Sequence, residues 1–299
     1  GILKSLVEAK KNIVGVITVP DKPLGRGRKL SPSAVKEYAE SQNLTVSQPT
    51  NLKDDDFLKE LQALHANLQI VVAFRMLPKV VWEMPKYGTF NLHASLLPQY
   101  RGAAPINWAI INAETKTGVT TFFIDEKIDT GEIIIQAEIP VKKNETVGTL
   151  HDKLMLLGAD LVTETVSLIA HTEITTKVQP KSIDLKEAPK LTPENTKINW
   201  NQSAEAIDSF IRGLSPYPGA WAILINEERE FKVKIYDVSP EIEKHKYPVG
   251  TILTTKKEMQ VAIKNGFLNI KEIQLPGKRK MEISSLLNGY TFGKDAKLL

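Results

Sequence analysis

The chain has 299 residues, 42% hydrophobic and 25% charged, a length for about two domains and a composition that excludes global disorder. It contains no cysteine, which excludes a disulfide framework, a thiolate metal site and a cysteine nucleophile. The net charge of +4 lies entirely from Lys190 onward, where 17 Lys+Arg stand against 13 Asp+Glu, while the preceding residues carry 22 of each. A basic final third is compatible with a polyanionic partner and also with an ordinary solvated surface. No apolar run reaches the ~18 residues of a membrane helix. The opening residues lack the charged start, apolar core and small-residue cleavage site of a signal peptide, so no membrane partner and a cytoplasmic location are expected.

Taken in chain order, Ile2, Leu3, Leu6 and Val7 recur at helical spacing, and an apolar run at 13–19 reads as a strand. Because a doubly wound sheet normally opens with a strand, a further strand and turn are expected before Gly1. Ser31-Pro32 reads as a helix start ahead of Val35, Tyr38 and Ala39. A short strand at 44–47 precedes a helical stripe of Phe57, Leu58, Leu61 and Leu64, and 69–74 reads as a buried strand. Strands at 89–93, 119–124 and 133–139 follow, with a helix at 104–112 between the first two and a long amphipathic helix at 146–170. This alternation predicts an α/β fold with a doubly wound, mostly parallel, Rossmann-like sheet over 1–171. The polar stretch 172–197, with Pro180, Pro189 and Pro193, reads as a linker. One helix at 204–214 and short strands at 222–225, 231–238, 251–254, 259–263 and 268–274 predict a small β-barrel or sandwich over 198–299.

No dinucleotide fingerprint, P-loop or helical His-x-x-x-His pair occurs, and no metal site is read. Of five histidines, only His93 stands at the carboxyl end of an apolar strand, where open α/β sheets bind their ligands. Period-two alternation puts Asn91 and His93 on one side of that strand. An amide N–H can stabilise a developing oxyanion, and an imidazole can move a proton near neutral pH. Asp129, 38 positions after Asn91, lies in Ile128-Asp129-Thr130-Gly131 beyond a second strand. Its carboxylate could orient the imidazole, or Asp-Thr-Gly could be turn chemistry alone. The connection from Ser95 to Ala104 is long for an α/β unit, which marks a binding loop, and its Arg101 is either an anion contact or an exposed loop arginine. Lys22, Arg26, Arg28 and Lys29 form the densest basic segment of the first domain, either a phosphate contact or a solvated loop.

Asn91-Leu92-His93-Ala94-Ser95-Leu96-Leu97-Pro98, then Arg101 to Ile106, Gly118-Val119-Thr120 and Ile128-Asp129-Thr130-Gly131, resemble the signature of the folate-dependent formyltransferases. The resemblance implies Asn91, His93 and Asp129 as a catalytic trio, and Ser95, Leu96, Leu97 and Pro98 as the tetrahydrofolate-binding stretch. The segment Pro20 to Leu30 is similar to a loop that tRNA-directed members insert toward the acceptor end of tRNA. The residues Ile198-Asn199-Trp200, Ile211-Arg212 and Pro216 to Trp221 match the start of their OB-like, tRNA-binding C-terminal domain. The function so implied is formyl transfer from 10-formyltetrahydrofolate to the α-amine of methionyl initiator tRNA, by a monomer with no metal. The alternatives are formyl transfer to a small amine, such as glycinamide ribonucleotide or an amino sugar nucleotide, and a non-catalytic RNA-binding module. Where the family carries Tyr-Gly after its third strand, this chain has Phe74-Arg75-Met76.

Overall fold

The computed structural model describes residues 1–24, 29–171, 174–180 and 184–299. Its first elements are α1 (Ile2–Glu8), β1 (Val16–Ile17), the pair β2 (Lys22–Leu24) and β3 (Lys29–Ser31), α2 (Ala34–Ser41), β4 (Val46–Ser47), α3 (Asp55–Ala63), β5 (Gln69–Val72) and α4 (Lys79–Trp82). Next come β6 (Thr89–His93), β7 (Arg101–Gly102), α5 (Pro105–Ile111), β8 (Lys116–Phe123), β9 (Ile133–Pro140), α6 (Val147–Ala170) and β10 (Glu187–Ala188). The C-terminal part holds α7 (Ala204–Leu214), β11 (Ala220–Asn226), β12 (Arg229–Glu241), β13 (Ile252–Thr254), β14 (Met259–Ile263), β15 (Gly266–Gln274), β16 (Met281–Glu282), α8 (Ile283–Leu287) and β17 (Lys297–Leu298).

Local chemistry sets several boundaries. Asp54 caps α3 by accepting from the amides of Asp56 and Phe57, and Asp55 and Asp56 place further negative charge at the positive end of the helix dipole. The cap of α2 is Ser33, whose hydroxyl accepts from the Lys36 amide, and not the expected Ser31, which is drawn into the β2–β3 pair. The apolar run at 69–74 keeps only its first four residues as a strand, because Ala73 turns into the left-handed region with φ +46°.

Packing divides the chain into two compact units. One comprises Gly1–Arg101, Gly118–Glu138 and Lys153–Lys186; the other comprises Gly102–Thr117, Ile139–Asp152 and Glu187–Leu299. The second unit thus takes two short stretches from the N-terminal half of the sequence, where the hydropathy pattern marks no break.

In the first unit β1 pairs parallel with β4, and a four-stranded sheet runs in the order β5-β6-β8-β9. β5 and β6 are parallel, with Val71 opposite Asn91, whereas β6 and β8 are antiparallel, with His93 opposite Thr120. The Rossmann-like pattern of parallel strands is therefore present, with β8 reversed. Alternation along β6 separates its faces: Phe90 and Leu92 pack with Leu6, Ile134, Val162 and Ile169, leaving Asn91 and His93 on the opposite side. Leu92 presses so closely on α6 that a methyl on Gly158 would lie 2.7 Å from it. A second cluster of Leu52, Phe57, Leu61 and Val81 holds α3 and α4.

In the second unit a seven-stranded antiparallel, barrel-like sheet runs β13-β14-β15-β12-β11-β17, with β16 on β15. The register of β12 against β15 shifts around Asp237, and such bulges bend a long strand so that the sheet can curl. Ile207, Ile211 and Leu214 of α7 fill the concave side with Leu224, Ile235 and Ile270. α5 joins this unit because Gly213 lets it approach α7: a side chain there would meet Ile111 at 2.5 Å, and Asn107 Nδ2 donates to the Gly213 carbonyl at 2.8 Å.

Phe90 is fully buried directly beside Asn91. Phe90→Ala is expected to lower stability by about 3–5 kcal/mol, read as a shift of the urea midpoint of the transition that reports on the first unit.

Candidate active site

The strand β6 ends by delivering His93, 6% exposed, to a point where two loops meet its ring. Nε2 lies 2.7 Å from the Tyr100 carbonyl oxygen. A carbonyl can only accept, so Nε2–H donates and carries the proton of the neutral ring. Nδ1 faces Asp129 Oδ2 at 3.7 Å, wider than a hydrogen bond but close enough for the carboxylate to attract the ring when it is protonated. Asn91 occupies the same face, and its buried Oδ1 has no hydrogen-bond partner among the described residues. Asn91, His93 and Asp129 are therefore brought together as expected from their motifs, although the route differs. With β8 antiparallel to β6, the carboxyl end of β8 lies beside the start of β6, and the connection to β9 brings Asp129 back to His93.

That connection is built from its own side chains. Asp125 accepts from the Lys127 amide at 2.9 Å and from the Thr130 hydroxyl at 2.8 Å. Gly131 is required because its backbone crosses the Phe123 carbonyl, and a Cβ would lie 1.7 Å from that oxygen. Asp129 itself has φ +54°, and Tyr100, the other grip on His93, has φ +60°. A non-glycine residue held there costs on the order of 1 kcal/mol, so both turns need outside support. Gln179, buried in the segment after α6, supplies it. Its Nε2 donates to the carbonyls of Asp129 at 3.0 Å and Gly131 at 2.8 Å, while its Oε1 accepts from Arg101 Nε at 3.1 Å and Nη2 at 2.6 Å. Arg101 thus turns to Gln179 through two of its nitrogens.

The turn Ser95 to Pro98 hangs on one buried hydroxyl. Thr120 Oγ1 donates to the Ser95 carbonyl at 2.6 Å and accepts from the Leu97 amide at 3.1 Å and from Gln136 Nε2 at 2.8 Å. Gln136 Nε2 also reaches the Leu97 carbonyl at 2.9 Å, and the Ser95 hydroxyl donates to the Gln99 carbonyl at 2.6 Å. Ser95 and Leu97 are buried, whereas Leu96 and Pro98 keep part of their surface open. The expected binding stretch is thus a braced turn in which two side chains point inward. Thr120, Gln136, Tyr100 and Gln179 were not singled out from the sequence as site residues. Three of them act on main-chain groups and one acts through its own carbonyl, and neither leaves a residue-type signature.

Of the basic segment, Lys22 is exposed in β2 and Lys29 lies in β3, while Arg26 and Arg28 fall outside the described residues. The base of this segment is fixed. Lys36 Nζ donates to Asp21 Oδ2 and to Gln48 Oε1, both at 2.8 Å, which holds the Asp21 carboxyl below its usual range and raises Lys36. A depressed carboxyl and a raised ammonium keep the pair charged from mildly acid to mildly alkaline pH; it is lost only on stronger acidification or alkalinisation.

Within the second unit a cavity of about 440 Å³ is lined by Lys190, Tyr217, Trp221, Lys232 and Lys234, among others. Lys232 Nζ sits 3.9 Å from the centroid of the Trp221 ring, and Tyr217 is 81% exposed. An exposed aromatic ring such as Tyr217, beside ammonium groups, is what single-stranded nucleic acid stacks and pairs against. Among the described residues there is no cluster of three His, Asp or Glu able to hold a metal ion, and no helix long and apolar enough to cross a membrane.

Thr120→Val keeps the shape of this fully buried side chain and removes the hydroxyl. The buried groups left unpaired around it are expected to cost about 1–3 kcal/mol, measured by urea unfolding.

Comparison with known proteins places these features. Residues 2–166 match the formyl transferase family and residues 190–291 match its C-terminal domain. A methionyl-tRNA formyltransferase of Flavobacterium johnsoniae is 57% identical over 298 residues, covering 100% of this chain and 95% of its own. One from Parabacteroides distasonis is 54% identical over 96% of this chain and 91% of its own. Among solved structures, WlaRD, a sugar 3N-formyl transferase crystallised in the presence of dTDP and 5-N-formyl-THF, superposes with a TM-score of 0.64 at 21% identity over 93% of both chains, a likeness of fold.

Proposed function

Because this chain belongs to the formyl transferase family, we propose that it moves the formyl group of 10-formyltetrahydrofolate onto the α-amine of methionyl initiator tRNA. The observation that carries the reading is the convergence of the Asn91 amide, the His93 imidazole and the Asp129 carboxylate on one face of the sheet, in a chain alike end to end to enzymes of that name. The folate, when bound, supplies an activated formyl carbon. The unpartnered, buried Asn91 Oδ1 and the braced turn from Ser95 to Pro98 suit such a ligand: the turn offers the open flanks of Leu96 and Pro98.

The roles follow from the chemistry of the three side chains and from how His93 and Asp129 face each other. Asn91 Nδ2–H donates to the oxygen on which charge develops, a contribution that grows toward the transition state. His93 has spent Nε2–H on Tyr100, so Nδ1, beside Asp129, is its proton-exchanging nitrogen. The proton shed by the attacking amine passes through His93 Nδ1 to the leaving folate nitrogen as the bond between the formyl carbon and that nitrogen breaks, and the Asp129 carboxylate stabilises the ring while it is protonated. The 3.7 Å gap between them is of the kind that closes when substrate excludes water. Lys22, Arg26, Arg28 and Lys29 contact the tRNA backbone, and the basic C-terminal region, with its Trp221–Tyr217 cavity, holds the RNA body. The enzyme works as a monomer.

The test is formyl transfer from 10-formyltetrahydrofolate to methionyl-tRNA, run beside a small amine and an amino sugar nucleotide as competing acceptors. Formylmethionyl-tRNA is the formylated product expected from the wild type. Asn91→Ala is expected to lose about 10²–10³ in kcat, and Asp129→Asn about 10² or more. Formylation of a small acceptor in preference to the tRNA would overturn the assignment. Tight tRNA binding without turnover would also overturn it.

A further inference from the structure

The two backbone turns that grip His93 are tied to each other by one side chain. Tyr100 presents its carbonyl to Nε2 and Asp129 its carboxylate to Nδ1, both from left-handed conformations. Arg101, the residue after Tyr100, gives two N–H groups to Gln179 Oε1, and Gln179 Nε2 gives its two hydrogens to the carbonyls of Asp129 and Gly131. Oε1 can only accept and Nε2 can only donate, so the arginine on one side and the carbonyls on the other fix a single amide orientation. From this geometry we infer that Gln179 is a positioning residue for the formyl transfer proposed above: it clamps the Asp129 turn at a fixed distance from His93 and registers it to the Tyr100 turn.

The clamp is specific in chemistry. A side chain of the same size that only accepts hydrogen bonds would keep Arg101 and repel both carbonyls. Glutamate is that side chain. Gln179→Glu gains an ion pair with Arg101 that offsets part of the cost of leaving two carbonyls unpaired, so the segment stays docked while the Asp129 turn loses both donors. A purely structural role for Gln179 would leave such a variant active. Misplacement of a catalytic group by about 1 Å costs up to 10²-fold in rate with little effect on substrate binding.

The inference rests on the functional reading, and two readouts on the full-length protein keep them apart. The first is steady-state formyl transfer to methionyl-tRNA by wild type, Gln179→Glu and Gln179→Ala. The second is the ¹⁵N signal of the His93 ring, assigned by its loss in His93→Gln. Both Gln179 variants are expected to lose about tenfold or more in kcat, with KM for either substrate within about twofold, and to move the His93 nitrogen signals in the absence of any substrate. Wild-type turnover in Gln179→Glu would overturn the clamp. A rise in KM with kcat unchanged would overturn it as well, because Gln179 would then be a substrate contact. Should the wild type transfer no formyl group, the functional reading falls, and the ring signals alone decide the clamp: a shift in Gln179→Glu upholds it, and an unmoved His93 overturns it.

Discussion

A histidine ring fixed through Nε2, with Nδ1 facing a carboxylate, is the constraint on which the first unit is organised. His93 donates from Nε2 to a main-chain carbonyl and turns Nδ1 to a carboxylate, so neither its tautomer nor its ring plane is left to chance. Meeting those two demands from one strand end requires two loops to arrive from different directions, each bent into a left-handed residue that the chain would not adopt unaided. The hydrogen bonds of Gln179, the Asp125 turn and the bare backbone of Gly131 all oppose that local cost. Stability is thus placed around the site, in the groups that support its two turns.

The same economy governs the opposite face of β6. Phe90 and Leu92 are packed against α6 closely enough that Gly158 has no room for a methyl group. A strand fixed from behind in this way holds Asn91 and His93 in register with each other, and rigid elements position reacting groups better than loops do. Thr120, opposite His93 on β8, extends that rigidity to the turn from Ser95 to Pro98 through two hydrogen bonds of one hydroxyl, and a third ties it to Gln136.

Much of this was legible from residues. Alternation along 89–93 put the amide and imidazole side by side, and the Asn-x-His and Asp-Thr-Gly motifs identified the trio, because motifs consist of side chains. The Rossmann-like and barrel-like parts were likewise legible, from strands alternating with helices over 1–171 and from short, closely spaced strands over 198–299. What escaped depends on main-chain groups or distant partners. No residue type announces that the Tyr100 carbonyl receives His93, and Gln179 sits in a polar, aperiodic stretch that reads as linker. Arg101 read as an anion contact or a free loop arginine, yet it is turned to a glutamine 78 positions away. Ser31 resembles a helix cap as well as Ser33 does; pairing of Ser31 with Lys22 decides between them. The reversal of β8 is equally invisible, since a buried strand has the same apolar run in either direction.

The second unit gathers Gly102–Thr117 and Ile139–Asp152 to a body completed only after Glu187, and this bears on the order in which the protein is made. α5 leaves the ribosome with Ile110 and Ile111 exposed, and its partner α7 begins 93 residues later. At ~5–20 residues per second, that helix waits roughly five to twenty seconds for the surface that covers it. The first unit must therefore fold around two segments that do not belong to it, and a nascent chain halted in that interval displays an apolar helix of the kind that chaperones bind.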